Sequence, residues 1–136
     1  MNQTRFTRPK EETKPLYDVR RINNLRELID SSAELYGNNK AFLFKNAEKQ
    51  IISKTYKEYK EDIDALGTAL LDLQLQNQKV VVIGNNSYRW CLSYMAVAGG
   101  VGTIVPLDKA LPTKEIENLT LQANPSCVIC EEKYLS

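Results

Sequence analysis

The spacing of apolar residues along this chain changes several times, and each change marks an element. From Asn24, the residues Leu25, Leu28, Ile29, Leu35 and Tyr36 fall on one helical face. Asn24 with Glu27 three positions on is a start signal, and Gly37 supplies a stop. Two short apolar runs follow, Ala41–Lys45 and Gln50–Ser53. The polar residues 46–49 join them, which predicts a hairpin with a four-residue loop. Thr55 and Glu58 then form a T-x-x-E capping box. Behind it Tyr56, Tyr59, Ile63, Leu66, Leu70 and Leu73 alternate spacings of three and four, the strongest helical pattern in the chain.

Beyond that helix the pattern shifts to strand, helix, strand, helix, strand. Val80–Ile83 is a β-branched run without polar alternation, as expected of a parallel strand covered on both faces. Ser87 caps a helix whose inward face is read as Trp90, Cys91, Tyr94, Val97 and Ala98, and Gly99, Gly100 and Gly102 end it. A strand at 103–106 follows. Pro112 or Thr113 opens a helix carrying Ile116, Leu119 and Ala123 on one face, Asn124 and Pro125 break it, and Cys127–Cys130 forms the last strand. The predicted fold is therefore α/β: a layered domain with a parallel βαβαβ unit, its strands near 80–83, 103–106 and 127–130. A helix, a short hairpin and a long amphipathic helix precede that unit. Residues 1–21 are polar, contain Pro9 and Pro15 and show no steady period, so they are read as an extended arm, with the domain occupying 22–136.

A chain of 136 residues has room for one domain with a core. Lys and Arg number 18 against 17 Asp and Glu, so no field of one sign exists to draw in nucleic acid or an anionic membrane. No apolar run approaches the roughly 18 residues of a membrane span, and the N-terminus lacks a signal-peptide core. Three cysteines without a secretion signal fit a reducing compartment, and a cytoplasmic protein is expected.

Most of the apparent chemistry has a plain explanation. Gly84-Asn85-Asn86-Ser87 leads from a strand into a helix N-terminus, where such sheets place anions. It lacks the glycine triplet of a dinucleotide fingerprint, and no G-x-x-x-x-G-K-S/T loop occurs, so a turn and cap is the preferred reading; a nicotinamide-dependent oxidoreductase is correspondingly disfavoured. Cys127 and Cys130 match C-x-x-C, but on a strand their Cα atoms stand about 10 Å apart, beyond the roughly 7 Å a disulfide spans. Zinc would need two more ligands, with no histidine and only Cys91 besides, so these are expected to be buried core cysteines. The lack of histidine also excludes Ser-His and Cys-His nucleophiles within this chain. Asp62, Asp64, Asp72, Glu115 and Glu117 are read as a solvated face, and Trp90 and Tyr94 as core aromatics. The generic binding candidate is Leu107-Asp108-Lys109-Ala110-Leu111, at the carboxyl edge where open sheets bind ligands.

Three stretches together resemble the start of the adenylate-forming acyl-CoA synthetases, the AMP-dependent synthetases and ligases, closest in flavour to bacterial long-chain fatty-acid ligases. Ile52–Tyr59, ISKTYKEY, is similar to the family's early T-Y-x-E-L/F motif. Val80–Trp90, VVVIGNNSYRW, resembles V-A-I-x-x-x-N-S-x-E-W, and Val97–Asp108, VAGGVGTIVPLD, resembles x-x-A-G-x-x-x-V-P-L/I-D. Ile116–Ile129 fits the helix and strand that follow in that family, and the resemblance covers about residues 20 to 136.

The resemblance implies a reaction in which a carboxylic acid and ATP, with magnesium, give an acyl-adenylate and pyrophosphate, after which the thiol of coenzyme A takes the acyl group. The family's phosphate loop, its Y-G-x-T-E segment, its ribose-binding aspartate and its C-terminal catalytic lysine have no match here. The chain is thus expected to be the N-terminal portion of an acyl-activating ligase, a partial domain of a larger fold. Alone it is expected to be inactive, without tight binding of ATP, magnesium or coenzyme A and with no catalytic or metal-binding residue. In some relatives the loop after the second parallel strand comes near coenzyme A, which marks Leu107, Asp108 and Lys109 as a coenzyme-proximal loop. Expected partners are the remainder of the ligase or a second copy of the chain, since an unpaired sheet edge invites association; the acid is read as a fatty acid. The alternative is a stand-alone α/β interaction or small-ligand module without catalysis.

Overall fold

The computed structural model describes residues 19–134. Residues 1–18 of the expected arm lie outside the described residues; Val19, Arg20 and Arg21 carry no regular secondary structure and are exposed. Helix α1 spans Leu25–Tyr36, hairpin strands β1 and β2 span Lys40–Lys45 and Ile51–Thr55, and helix α2 spans Tyr56–Asp72. The βαβαβ unit follows as β3 (Lys79–Ile83), α3 (Tyr88–Ala96), β4 (Thr103–Leu107), α4 (Thr113–Ala123) and β5 (Cys127–Cys130).

Local chemistry sets the helix ends. The Asn24 side chain accepts from Glu27 N at 2.8 Å. The Glu27 carboxylate reaches back to Asn23, at 2.9 Å to its backbone and 2.7 Å to its amide, so this box closes one residue earlier than the sequence signal implies. Of the expected inward face of α1 only Ile29 is fully buried, while Leu35 and Tyr36 are exposed. Gly37 stops the helix in right-handed geometry, with φ −42°. In the hairpin Asn46 O accepts from Lys49 N at 3.0 Å, and Lys49 takes a left-handed φ of 62°, the three-residue-loop geometry that returns the chain into antiparallel pairing.

The Thr55 capping box is complete: Glu58 N donates to Thr55 Oγ1 at 3.2 Å and Thr55 N to Glu58 Oε2 at 2.7 Å. At its other end α2 stops one residue before Leu73, which is 68% exposed. A left-handed Gln74 (φ 62°) turns the chain so that Leu75, 7% exposed, fills the core instead. That corrects the expected helical stripe at its last position.

The parallel sheet has the order β4-β3-β5. Its middle strand is the earliest in sequence, hydrogen-bonded on both sides, and Val80, Val81, Val82 and Ile83 are each at most 4% exposed. Burying a side chain of this size stabilises by roughly 1.5–3 kcal/mol, so this strand is the thermodynamic centre of the fold. Val80 packs with Leu70, Leu75, Val97 and Val101 from the α2 and α3 side, whereas Val81 and Ile83 face Ile116 and Leu121 of α4. The successive side chains of β3 thus divide the helices between two faces.

Between α3 and β4 the chain makes a π-helical turn, Val97–Val101. The turn brings Asn77 N to Val101 O at 2.8 Å and Thr103 N to Gln78 O at 2.9 Å. A Cβ on Gly102 would overlap the Gln78 carbonyl, so glycine is required here by close approach of two backbones. The inward face of α3 also needs correcting. Ser93, Ala96 and Val97 are buried, while Trp90 and Tyr94 are half-buried and stack on each other with centroids 5.5 Å apart. Cys91, Cys127 and Cys130 are free and half-buried rather than fully buried; Cys127 and Cys130 lie on β5, which ends the three-stranded sheet, and Cys127 packs against the core from there.

Candidate functional site

Register puts the ends of the three parallel strands at one level, with Ile83 opposite both Leu107 and Cys130. Each strand then releases a polar segment at the carboxyl edge, the edge at which open α/β sheets receive ligands. After β3 comes Gly84-Asn85-Asn86-Ser87, after β4 Asp108-Lys109, and after β5 Glu131.

These segments are bonded to one another. The Glu131 carboxylate accepts from the backbone N–H of Asn85, and its other oxygen accepts from Asn85 Nδ2 at 2.9 Å. Asn85 Oδ1 in turn accepts from Lys109 Nζ. Lys133 Nζ lies 3.2 Å from the same glutamate. Hydrogen bonding from the Asn85 backbone, aided by Lys133, holds the Glu131 carboxyl below the usual range, so it stays an anionic acceptor. Ser87 Oγ accepts from Trp90 N at 3.2 Å, closing the first turn of α3.

The three residues singled out on the β4 loop are placed as follows. Leu107 ends β4 and is half-buried. Asp108 is exposed and spends Oδ1 on Ala110 N at 2.9 Å, an Asx turn that shapes the loop. Lys109 is exposed and directed to Asn85. Sequence reasoning missed Asn85 and Glu131 as partners. The usable signal was their position, one or two residues past the ends of neighbouring strands in a parallel register.

Chemically this rim presents two ammonium groups, Lys109 held by Asn85 and Lys133 beside Glu131, that an anion could share. Among the described residues no cluster of His, Cys, Asp or Glu could hold a metal ion. Two donors at the β3 turn are already committed, Asn85 N to Glu131 and Trp90 N to Ser87. A groove of about 710 Å³ opens beside the rim between the strand ends and α3, lined by Val82, Leu92, Trp90 and Ile129 among others.

The second polar assembly lies away from the edge. Asp62 accepts from Lys54 at 2.6 Å and from the Tyr88 hydroxyl at 2.5 Å, and Asp64 accepts from Arg26 at 2.6 Å and Lys60 at 2.5 Å. These aspartates are half-buried and paired across elements, which corrects their reading as a solvated face; Asp72, Glu115 and Glu117 are exposed as expected. Tyr88 also packs its ring on Phe42, Phe44 and Tyr59, with centroids 5.1, 5.2 and 5.7 Å away, so the hairpin is pinned to both helices. Burial, then the Asp62 hydrogen bond, drives the Tyr88 hydroxyl far above its ordinary range, which makes it a donor only.

A protein-family model described as AMP-binding enzyme matches residues 29–136. A D-alanine--D-alanyl carrier protein ligase of Listeria welshimeri is 32% identical over 81 residues, 58% of this chain and 16% of the relative. The ligase of the same name from Listeria monocytogenes is 32% identical over 84 residues, 60% of this chain and 16% of the relative. The chain therefore spans about a sixth of the length of these curated relatives. Among solved structures, the Klebsiella oxytoca NpsA N-terminal subdomain superposes with a TM-score of 0.71 at 17% identity, over 82% of this chain and 28% of that one. The anthranilate CoA ligase AuaEII in complex with anthranoyl-AMP gives 0.72 at 17% identity, over 90% of this chain and 22% of that one. These structures share the layered α/β fold with its parallel sheet. No described helix is long and apolar enough to cross a membrane.

Proposed function

Because the chain belongs to the AMP-binding enzyme family, which its residues 29–136 match, we propose that it contributes the N-terminal part of a ligase that activates a carboxylic acid as an acyl-adenylate. In that reaction the carboxylate oxygen attacks the α-phosphorus of ATP and pyrophosphate leaves; a thiol then takes the acyl group and AMP leaves. The observation that carries the reading is the family match laid over the β4-β3-β5 sheet. Residues 22–136 are assigned to the ligase domain as an incomplete portion of it, in a cytoplasmic protein.

The relatives are named for a carrier protein and for coenzyme A, so the acyl acceptor belongs to one of these two kinds. The three motif stretches taken together, closest in flavour to bacterial long-chain fatty-acid ligases, favour coenzyme A, and a fatty acid as the substrate. We assign the loop Leu107-Asp108-Lys109 to the edge of the thioester-step pocket. The ammonium groups of Lys109 and Lys133 on the rim suit an acceptor rich in phosphate. With no cluster of metal-binding side chains among the described residues and Asn85 N already taken by Glu131, no step through magnesium or the triphosphate is assigned to these residues. The partner of the sheet is the rest of a ligase, or a second copy of the chain.

Two measurements test this. The purified 136-residue chain is expected to show no acid-dependent ATP–pyrophosphate exchange, and exchange above background would overturn the scaffold assignment. Sequence read in frame beyond Ser136 is expected to carry the phosphate loop within about one domain length. A stop codon at that point would favour a stand-alone module or a decayed remnant of a ligase.

A further inference from the structure

The segments leaving all three parallel strands meet in one hydrogen-bonded line, Lys109 to Asn85 to Glu131, with Asn85 and Glu131 46 residues apart and Asn85 and Lys109 24 apart. We propose that Glu131 is a positioning residue that acts through Asn85 to hold the Lys109 ammonium over the carboxyl edge of the sheet. That an anionic acyl acceptor is received there rests on the function proposed above; the positioning itself does not.

The geometry carries this. A carboxamide has one acceptor end and one donor end, and the two differ in what they can face. Glu131 takes both kinds of donor that Asn85 owns, the backbone N–H and Nδ2, the latter at 2.9 Å. With Nδ2 committed there, Oδ1 is turned to the other side, where the Lys109 ammonium lies. In the flipped carboxamide an N–H would face an ammonium, donor against donor, so Glu131 selects the orientation that Lys109 needs.

Space is reserved for this arrangement. A Cβ on Gly84 would stand 3.1 Å from Glu131 Oε1 and 3.3 Å from Cγ, so glycine leaves the glutamate its seat against the turn. A lone exposed lysine–amide bond is weak, because ordering a long side chain costs entropy. Here the acceptor is already fixed at two points before the lysine arrives, and that preorganisation reduces the ordering needed.

The test is pulse acylation of lysines in the 136-residue chain with acetic anhydride, read site by site by mass spectrometry. Asn85→Ala and Glu131→Ala are expected to speed modification of Lys109 about twofold to fivefold, the scale of one lost hydrogen bond, with Lys114 on α4 unchanged. Glu131→Gln keeps one acceptor and is expected to give a smaller rise, an order that a merely structural role would not produce. Unchanged Lys109 reactivity in the folded variants overturns the proposal. Where a variant unfolds and every lysine accelerates together, the unaltered chain decides by amide exchange. The Asn85 N–H is expected to exchange roughly fivefold or more below its intrinsic rate, and exchange at the intrinsic rate overturns the proposal. None of these readouts requires ligase activity. Failure of the ligase assignment shows instead in the reading frame past Ser136, as the lack of a phosphate loop within about one domain length.

Discussion

The hydroxyl of Tyr59 donates to the carbonyl oxygen of Cys91 at 3.0 Å, which ties the first turn of α2 to the first turn of α3. Burial first, and the neighbouring Cys91 second, raise this phenol well above its ordinary range, so it acts as a fixed donor. Tyr59→Phe keeps the ring against Phe42, 4.7 Å away, and leaves the carbonyl without this partner. The expected loss is about 1 to 2 kcal/mol in urea unfolding, and a loss near zero would show that water replaces the hydroxyl.

Gly102→Ala is expected to be the more damaging change. The added methyl meets the Gln78 carbonyl, a backbone atom just ahead of β3 that is held by its bond from Thr103 N. Relief requires β3 and β4 to separate, at a cost of about 3 kcal/mol. Gly84→Ala meets only the Glu131 side chain, which can move, so its thermal midpoint is expected to fall much less.

Thr55→Ala removes the acceptor for Glu58 N at the start of α2. The expected destabilisation is about 1 kcal/mol. Thr55→Ser retains the hydroxyl and is expected to recover most of it, which thermal unfolding of the pair will show.

Acid should weaken the α1–α2 and hairpin contacts through two aspartates. Burial alone would raise the carboxyls of Asp62 and Asp64. Hydrogen bonds from Lys54 and Tyr88 to the first, and from Arg26 and Lys60 to the second, outweigh it and hold both below the usual range. A carboxyl whose folded value is depressed adds stability that is present above its unfolded value, about 3.9, and lost as pH falls through the folded one. Thermal midpoints are therefore expected to be level near neutrality and to drop below about pH 4. Asp62→Asn with Asp64→Asn should start lower and flatten that drop; an unchanged acid limb would show that other groups control it.

Much of the architecture was legible in the chain because its signals are local. The Thr55 box, the three-and-four spacing from Tyr59 to Leu70 and the uninterrupted Val80–Ile83 run each depend on residues within a turn or a strand of one another. The errors share one cause. Periodicity places Leu73, Trp90 and Tyr94 inward, but what buries a side chain is the neighbour it meets, and a left-handed Gln74 redirects the chain just past Leu73. The candidate edge was half legible. Parallel strands pointed to the carboxyl ends and to Lys109, whereas the pairing of Asn85 with Glu131 depends on the register of β3 against β5 across 46 residues.

The order β4-β3-β5 also has a consequence for the making of the chain. Within that sheet the most apolar strand is synthesised first, and its two neighbours have not yet emerged when it leaves the ribosome. Elongation at about 5 to 20 residues per second leaves Val80–Ile83 without β4 for a second or more, and without β5 for several seconds. During that interval a run of four buried-type side chains has no sheet to enter. Nascent-chain pausing or chaperone capture between Ile83 and Cys130 would act within that interval.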